Sequence, residues 1–284
     1  LSGDHIYKMD YRNMARFHLE NKADLTIACM EVPLSEGKRF GIIKTDEENR
    51  IVGFHEKPSE PVPSPNNPEA TFVSMGIYLF NTTTLVKAII DDAKQDTNHD
   101  FGKNIIPEMI HSKRVYAYPF ADGTNNNLNY WRDIGTLDAY WEANMDLVQE
   151  SPEFNLYDKD WPIRTHQEQN PPAKTTFKKT LPEERTDMIL NSIVSGGCII
   201  SGAKVEGCIL SPDVRVDTNS EIYDSIIMES VRIGENVKIR KAIIDKSVNI
   251  PDYMSIGYNR EEDYKHFTVT DSGITVVRKE MHLI

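Results

Sequence analysis

An α/β domain built on a mixed sheet, followed by a three-sided parallel β-helix, is the architecture that this 284-residue sequence predicts. Three observations carry the prediction. Strand-like and helix-like runs interleave in the first half, and aliphatic residues return every 17 positions in the second. Between them, Pro152, Pro162, Pro171, Pro172 and Pro182 interrupt a polar stretch with little periodicity. The expected divisions are a domain over 1–150, a linker over 151–188 and the β-helix over 189–284.

In the first half, Met9 to Asn21 has helical spacing, with Met14, Phe17 and Tyr11 on one face. Leu25 to Val32 reads as a buried strand. Gly41 to Lys44 and Ile51 to Lys57 read as a hairpin across Asp46–Asn49, which delivers Glu56 and Lys57. Pro58 ends that strand, and Pro61, Pro63, Pro65 and Pro68 keep the next loop extended and out of any sheet. Thr71 to Phe80 returns as a strand carrying Ser74 and Gly76. Thr82 to Ala93 supplies a helix, Asp100 caps another that runs through Ile110, and Val115 to Phe120 alternates as a strand. Tyr130, Trp131, Arg132 and Asp133 form a strand end ahead of a helix from Leu137 to Val148.

The repeat of the second half is read from three columns. Ile193, Leu210, Ile227 and Ile244 form the first; Ile199, Val216, Ile233 and Ile250 the second; Val205, Ile222, Ile239 and Ile256 the third. A parallel β-helix explains them, because each of its sides offers one short strand per coil and stacks inward residues on those of its neighbours. Cys208, Ser225 and Ala242, and likewise Val214, Val231 and Val248, make accompanying inward columns.

A net charge of -12 argues against general nucleic-acid or anionic-membrane binding, so any phosphate ligand must be met by a few local cations. Cys29, Cys198 and Cys208 form no CxxC pair and fit reduced thiols filling a core in a cytosolic-type compartment. No signal peptide is expected from the residues given, and no apolar run is long enough to span a bilayer. The chain opens on Leu1 with a motif already under way, so a fragment is expected.

The acids Asp4 and Asp133 stand near opposite ends of the α/β half, and folding can bring them together. Two such hard oxygen ligands suit Mg2+ bound with substrate phosphates. The competing reading has Thr136 capping the helix while Asp133 pairs with Arg132 or a neighbour. Lys57 can meet a phosphate and Glu56 can accept hydrogen bonds from sugar hydroxyls, or the two can form a surface ion pair. Gly41 permits close backbone approach and Ser74 offers a hydroxyl, and both occur in strands without function. His5, His55 and His99 lack metal-ligand spacing and read as structural.

The ordered motifs Ser2-Gly3-Asp4-His5-Ile6-Tyr7-Lys8, Phe54-His55-Glu56-Lys57-Pro58, Ser74-Met75-Gly76-Ile77-Tyr78, His99-Asp100-Phe101-Gly102-Lys103, Tyr130-Trp131-Arg132-Asp133 with Gly135-Thr136, and Trp161-Pro162-Ile163-Arg164-Thr165 resemble those of the ADP-glucose pyrophosphorylases, within the sugar-nucleotide pyrophosphorylases. The resemblance runs nearly end to end. It implies a Rossmann-like nucleotidyltransferase domain, partial here, ahead of a left-handed β-helix. It also implies a catalytic Mg2+ on Asp4 and Asp133, Lys57 on the sugar phosphate, and Gly41, Glu56 and Ser74 lining a glucose 1-phosphate site. The implied reaction joins ATP and glucose 1-phosphate into ADP-glucose and pyrophosphate, the committed step of glycogen or starch synthesis, in a homotetramer.

The family's glycine-rich nucleotide loop has no counterpart in this sequence, so turnover by the chain alone is not expected. Arg240, Lys241, Lys246, Arg278 and Lys279 resemble the surroundings of the family's site for phosphorylated effectors, although composition alone reads them as a solvated face. Rival readings are a pyrophosphorylase for another nucleotide or sugar, a β-helix acyltransferase and a non-catalytic regulatory subunit. The acyltransferase leaves Asp4, Lys57 and Asp133 unexplained.

Overall fold

A computed structural model describes residues 1–64, 67–120, 130–176, 188–281 and 283. Pro65, Pro182 and the 177–187 part of the expected linker lie outside the described residues. By contacts the chain divides into two units, Leu1–Trp131 and Arg132–Ile284.

The first unit runs β1 (His5–Tyr7), α1 (Tyr11–Glu20), β2 (Leu25–Pro33), β3 (Gly41–Thr45), β4 (Ile51–Glu56), β5 (Ala70–Phe80), α2 (Thr82–Asp92), α3 (Ile106–Ser112) and β6 (Val115–Pro119). Its main sheet has the order β4-β3-β5-β2-β6, with β2 and β6 parallel and the remaining pairs antiparallel, which is the mixed sheet expected. Strand β2 is apolar on both faces and so takes an interior position. Its Leu25, Ile27 and Cys29 share a core with Ile106 and Met109 of α3, while Ala28 and Val32 share one with Met14 of α1. Layers therefore lie on both sides of the sheet.

Two elements differ from the expected bounds. Asp100 does cap a helix, accepting from the Lys103 N–H at 2.8 Å. That helix opens, however, as a π-turn, Phe101–Ile105, and becomes α-helical only at Ile106. Pro107 has no N–H to continue an unbroken ladder. Strand β4 ends at Glu56, because Lys57 turns into left-handed backbone at φ 47 and gives its N–H to the Phe40 carbonyl.

The second unit begins within the short strand β7 (Trp131–Asp133) and continues into α4 (Leu137–Leu147), which Thr136 caps by accepting from the Ala139 N–H at 3.2 Å. Beyond it stand the three faces of a left-handed parallel β-helix. One face stacks Ile193–Val194, Ile209–Leu210, Ile226–Ile227, Ala242–Ile244 and Thr275–Val277. A second stacks Lys174–Thr176, Ile199–Ser201, Arg215–Val216, Arg232–Ile233 and Asn249–Ile250. The third stacks Met188–Leu190, Lys204–Glu206, Glu221–Tyr223, Lys238–Arg240 and Ser255–Ile256. Lys174–Thr176 thus joins the β-helix from within the stretch expected as linker.

Ten of the twelve column residues point inward as expected; Ile193 and Ile199 do not. Val194 pairs with Leu210 and Ile200 with Val216, so the inward places in that coil fall to Val194 and Ile200. The coil is one residue short between Ile200 and Gly202. At the corners, left-handed residues recur in stacks: Gly197, Asp213, Ser230 and Ser247; Gly202, Asn219, Asn236 and Tyr253; Asn191, Gly207, Asp224 and Lys241. Helix α4 lays Met145 over Ile226, Ile243 and Val276, the outward apolar side of the first face.

Candidate active site

The carboxylate of Glu56 sits in a notch made by two glycines. Gly41 pairs with Glu56 across the β3–β4 ladder, and a Cβ on Gly41 would stand 2.9 Å from Glu56 Oε2. Gly102, in the π-turn, faces the same oxygen, and a Cβ there would stand 2.6 Å from it. A Cβ at either position would force the carboxylate to move, and at Gly41 it would also meet the Phe54 ring at 2.5 Å. Half-burial in this notch pushes the Glu56 carboxyl up from its ordinary value, with Asp100 adding to the rise, while Lys57 and Lys103 pull it down. Burial likewise raises the Tyr78 hydroxyl, which lies 3.4 Å from Ser74 Oγ and feels Glu56 and Asp100. Ser74, Glu56, Tyr78 and Asp100 therefore belong to one small polar site, roofed by Phe101 stacked on Tyr78 at 6.2 Å.

Lys57 stands at the rim, exposed, its backbone in a conformation that non-glycine residues rarely adopt. It helps hold the Asp4 carboxyl below its ordinary range, after the larger effects of the Ser2 hydroxyl and His5. Asp4 is placed by its own loop. Ser2 Oγ donates to Asp4 Oδ1 at 2.8 Å, the Ser2 N–H donates to the Gly76 carbonyl, and His5 Nδ1 meets the Met75 carbonyl at 2.8 Å. Gly76 takes φ 65, and a Cβ there would meet Ser2 and His5 at 3.1 and 3.2 Å. The motif around Ser74 thus supports the motif around Asp4.

The His5 ring packs edge-on against Trp131 at 5.0 Å, with Phe40 behind at 5.2 Å. Trp131 Nε1 is buried and has no hydrogen-bond partner among the described residues, which leaves a donor for a ligand. Asp133 follows Trp131 by two residues, a tether of about 7 Å at most between their Cα atoms. Arg132 is committed to Asp146 at 3.0 Å, and Asp133 Oδ1 accepts the Gly135 N–H at 2.9 Å. Thr136 is a cap, as the competing reading held. Asp4, His5 and Asp133 each offer an atom of the kind a metal ion takes, and carboxylate oxygens suit a hard divalent cation.

The basic residues of the β-helix fall into separate places. Lys246 and Lys279 both present backbone N–H groups to the Asp245 carboxylate, and Ile244 pairs with Val277, so Lys246, Arg278 and Lys279 share one corner. Arg240 lies at the other end of the Ala242–Ile244 strand, in register with Tyr223. Lys241 donates to the Ser272 carbonyl at 2.6 Å and lies over the Trp141 ring.

Tyr78, Asp100 and Gly102 were missed as site residues by sequence reasoning, although each stood in a motif it quoted. A glycine inside a helix-like run was the available signal.

Residues 1–150 match the nucleotidyl transferase family, and residues 171–277 match the GlmU-like C-terminal hexapeptide family. The chain is 51% identical to a glucose-1-phosphate adenylyltransferase of Methylococcus capsulatus over 98% of its own length and 65% of that protein's. It is 48% identical to those of Methylobacillus flagellatus and Shewanella baltica, over 99% of itself and 66% and 67% of theirs. It therefore spans about two thirds of the length of these relatives. Among the described residues, no helix is long and apolar enough to cross a membrane.

Proposed function

The chain belongs to the glucose-1-phosphate adenylyltransferase family of nucleotidyl transferases, and on that premise we propose that it supplies the sugar-phosphate side of a site converting ATP and glucose 1-phosphate into ADP-glucose and pyrophosphate. The observation that carries the reading is the Glu56 notch with Lys57 at its rim. A carboxylate between two glycines can accept paired hydrogen bonds from sugar hydroxyls, and the adjacent ammonium can hold the phosphate. Ser74, Tyr78 and the Trp131 N–H add neutral polar contacts around the ring.

Orientation is the chief service such a site performs. Held by Lys57, a phosphate oxygen of glucose 1-phosphate attacks the α-phosphorus of ATP in line, the bond to the β-phosphate oxygen breaks, and pyrophosphate leaves. Asp4 and Asp133 would hold Mg2+, which neutralises phosphate charge when bound. No side chain of this site needs to become covalently attached.

The same membership supports a homotetramer acting at the entry to glycogen or starch synthesis in the cytoplasm or a plastid, with sedimentation velocity as the check on assembly. It also supports a site for phosphorylated effectors on the β-helix. The separation above points to Lys246, Arg278 and Lys279 as one anion contact and Arg240 as another. The decisive experiment on the substrate side is Lys57→Gln in the intact enzyme. KM for glucose 1-phosphate should rise by about tenfold or more, as loss of a charge-assisted contact does, while KM for ATP stays put. An effect confined to ATP would overturn the assignment.

A further inference from the structure

Helix α2 ends on a residue that its own position disfavours. Asp92 is its last residue, where free carbonyls and the helix dipole repel an anion, and no basic side chain occupies the last turn. It is also the buried residue of that helix. Its carboxylate turns away from the helix into the next loop. Oδ1 accepts from Thr97 Oγ1 at 2.8 Å, and Oδ2 meets His99 Nδ1 at 2.7 Å. Thr97 Oγ1 in turn accepts the His99 N–H at 3.1 Å, and His99 is held in left-handed backbone at φ 54.

What this clasp holds is the wall of the Glu56 notch. Asp100 follows His99 directly, caps the π-turn by accepting the Lys103 N–H, and donates its own N–H to Asn104 Oδ1 at 3.2 Å. Two residues on, Gly102 closes against Glu56 Oε2. We infer that Asp92 and His99 are positioning residues for the sugar-phosphate site: by fixing the left-handed turn at His99 they set Asp100 and Gly102 against the Glu56 carboxylate. An unfavourable residue at a helix end, tied to a strained residue beside a polar notch, is the local inconsistency that functional sites retain. The inference rests on the reading of Glu56 as a substrate contact.

The test is steady-state kinetics of the intact enzyme with each substrate varied in turn, together with thermal melts. Asp92→Ala and His99→Ala should raise KM for glucose 1-phosphate by about tenfold, leaving KM for ATP within about twofold of wild type. His99→Gly accepts the turn without the clasp, so it guards against misfolding, and it should show the same rise. His99→Asn should restore binding, because its amide nitrogen takes the place of Nδ1 and asparagine tolerates left-handed backbone. Adding Asp92→Ala to Gly102→Ala should add little, since both act through Glu56. The clasp is refuted if His99→Gly leaves KM unchanged, if both KM values rise together, or if the double variant is additive. If Glu56→Gln leaves KM for glucose 1-phosphate at wild type, the substrate reading fails and the clasp falls with it. If Glu56→Gln raises KM and His99→Gly does not, the clasp alone falls.

Discussion

Replacing Gly102 with alanine separates the work of the notch from the stability of the fold. The added methyl would stand 2.6 Å from Glu56 Oε2, about 0.8 Å inside the 3.4 Å at which ordinary contact begins. The backbone there needs no left-handed φ, and alanine favours helical backbone by up to about 1 kcal/mol over glycine. The melting temperature should therefore hold or rise slightly. The carboxylate must instead withdraw, and a charge-assisted hydrogen bond to a sugar hydroxyl is worth about 1.5 to 3 kcal/mol. That range corresponds to roughly a ten- to hundredfold loss of affinity. Isothermal calorimetry with glucose 1-phosphate reads it directly, and Gly53→Ala on strand β4 is the control, its Cβ having nothing closer than 3.5 Å. Wild-type affinity in Gly102→Ala, or an equal loss in Gly53→Ala, would refute the notch.

Asp133→Asn should lower kcat by on the order of a hundredfold at saturating Mg2+, as removal of a charge-stabilising group does, and an unchanged kcat sinks the shared-ion proposal. Ile233→Asp puts an unpaired charge among the inward columns and should unfold the second unit, whereas exposed Lys238→Glu should be mild; equal melts for the two would contradict the stacked core. Burial raises the Glu56 carboxyl, so its contribution to stability is fully present below its ordinary value of 4.5 and is lost as pH rises through the raised value. Glu56→Gln should accordingly melt no lower than wild type at neutral pH, with any advantage fading below that value; a variant that melts lower at neutral pH alone reverses the sign. Arg240→Ala should shift half-saturation by a phosphorylated effector, and an unaltered titration leaves Arg240 a solvated side chain.

The β-helix was legible because its period is a direct image of its cross-section. The phase failed only where the sequence offers doublets: Ile193-Val194 and Ile199-Ile200 are aliphatic at both places, so hydrophobicity could not register a coil one residue short. The site was legible as a string of motifs and not as a shape. Gly102 reaches Glu56 from a π-turn ahead of α3, a departure from helical spacing that no local pattern announces. Lys57 precedes Pro58, a position biased toward extended backbone, and its left-handed turn depends on a hydrogen bond to the distant Phe40. Asp133 showed itself as an acid at a strand end. The Arg132 pair with Asp146 became visible only in the folded chain.

The stacked left-handed corners carry a consequence for how this half of the chain can vary. Each rung is held by parallel pairing to the rungs beside it, so a residue lost at a bend is absorbed there and the inward columns re-lock within the next strand, where Val205 again faces Ile222. The coil shortened before Gly202 has done this already, with a glycine at the bend where its neighbours carry Asn219 and Asn236. Length changes in the repeat should therefore cluster at bends that glycine or asparagine can turn, and a designer wishing to graft a loop would cut at Asn219 or Asn236 and leave the two- and three-residue rungs untouched.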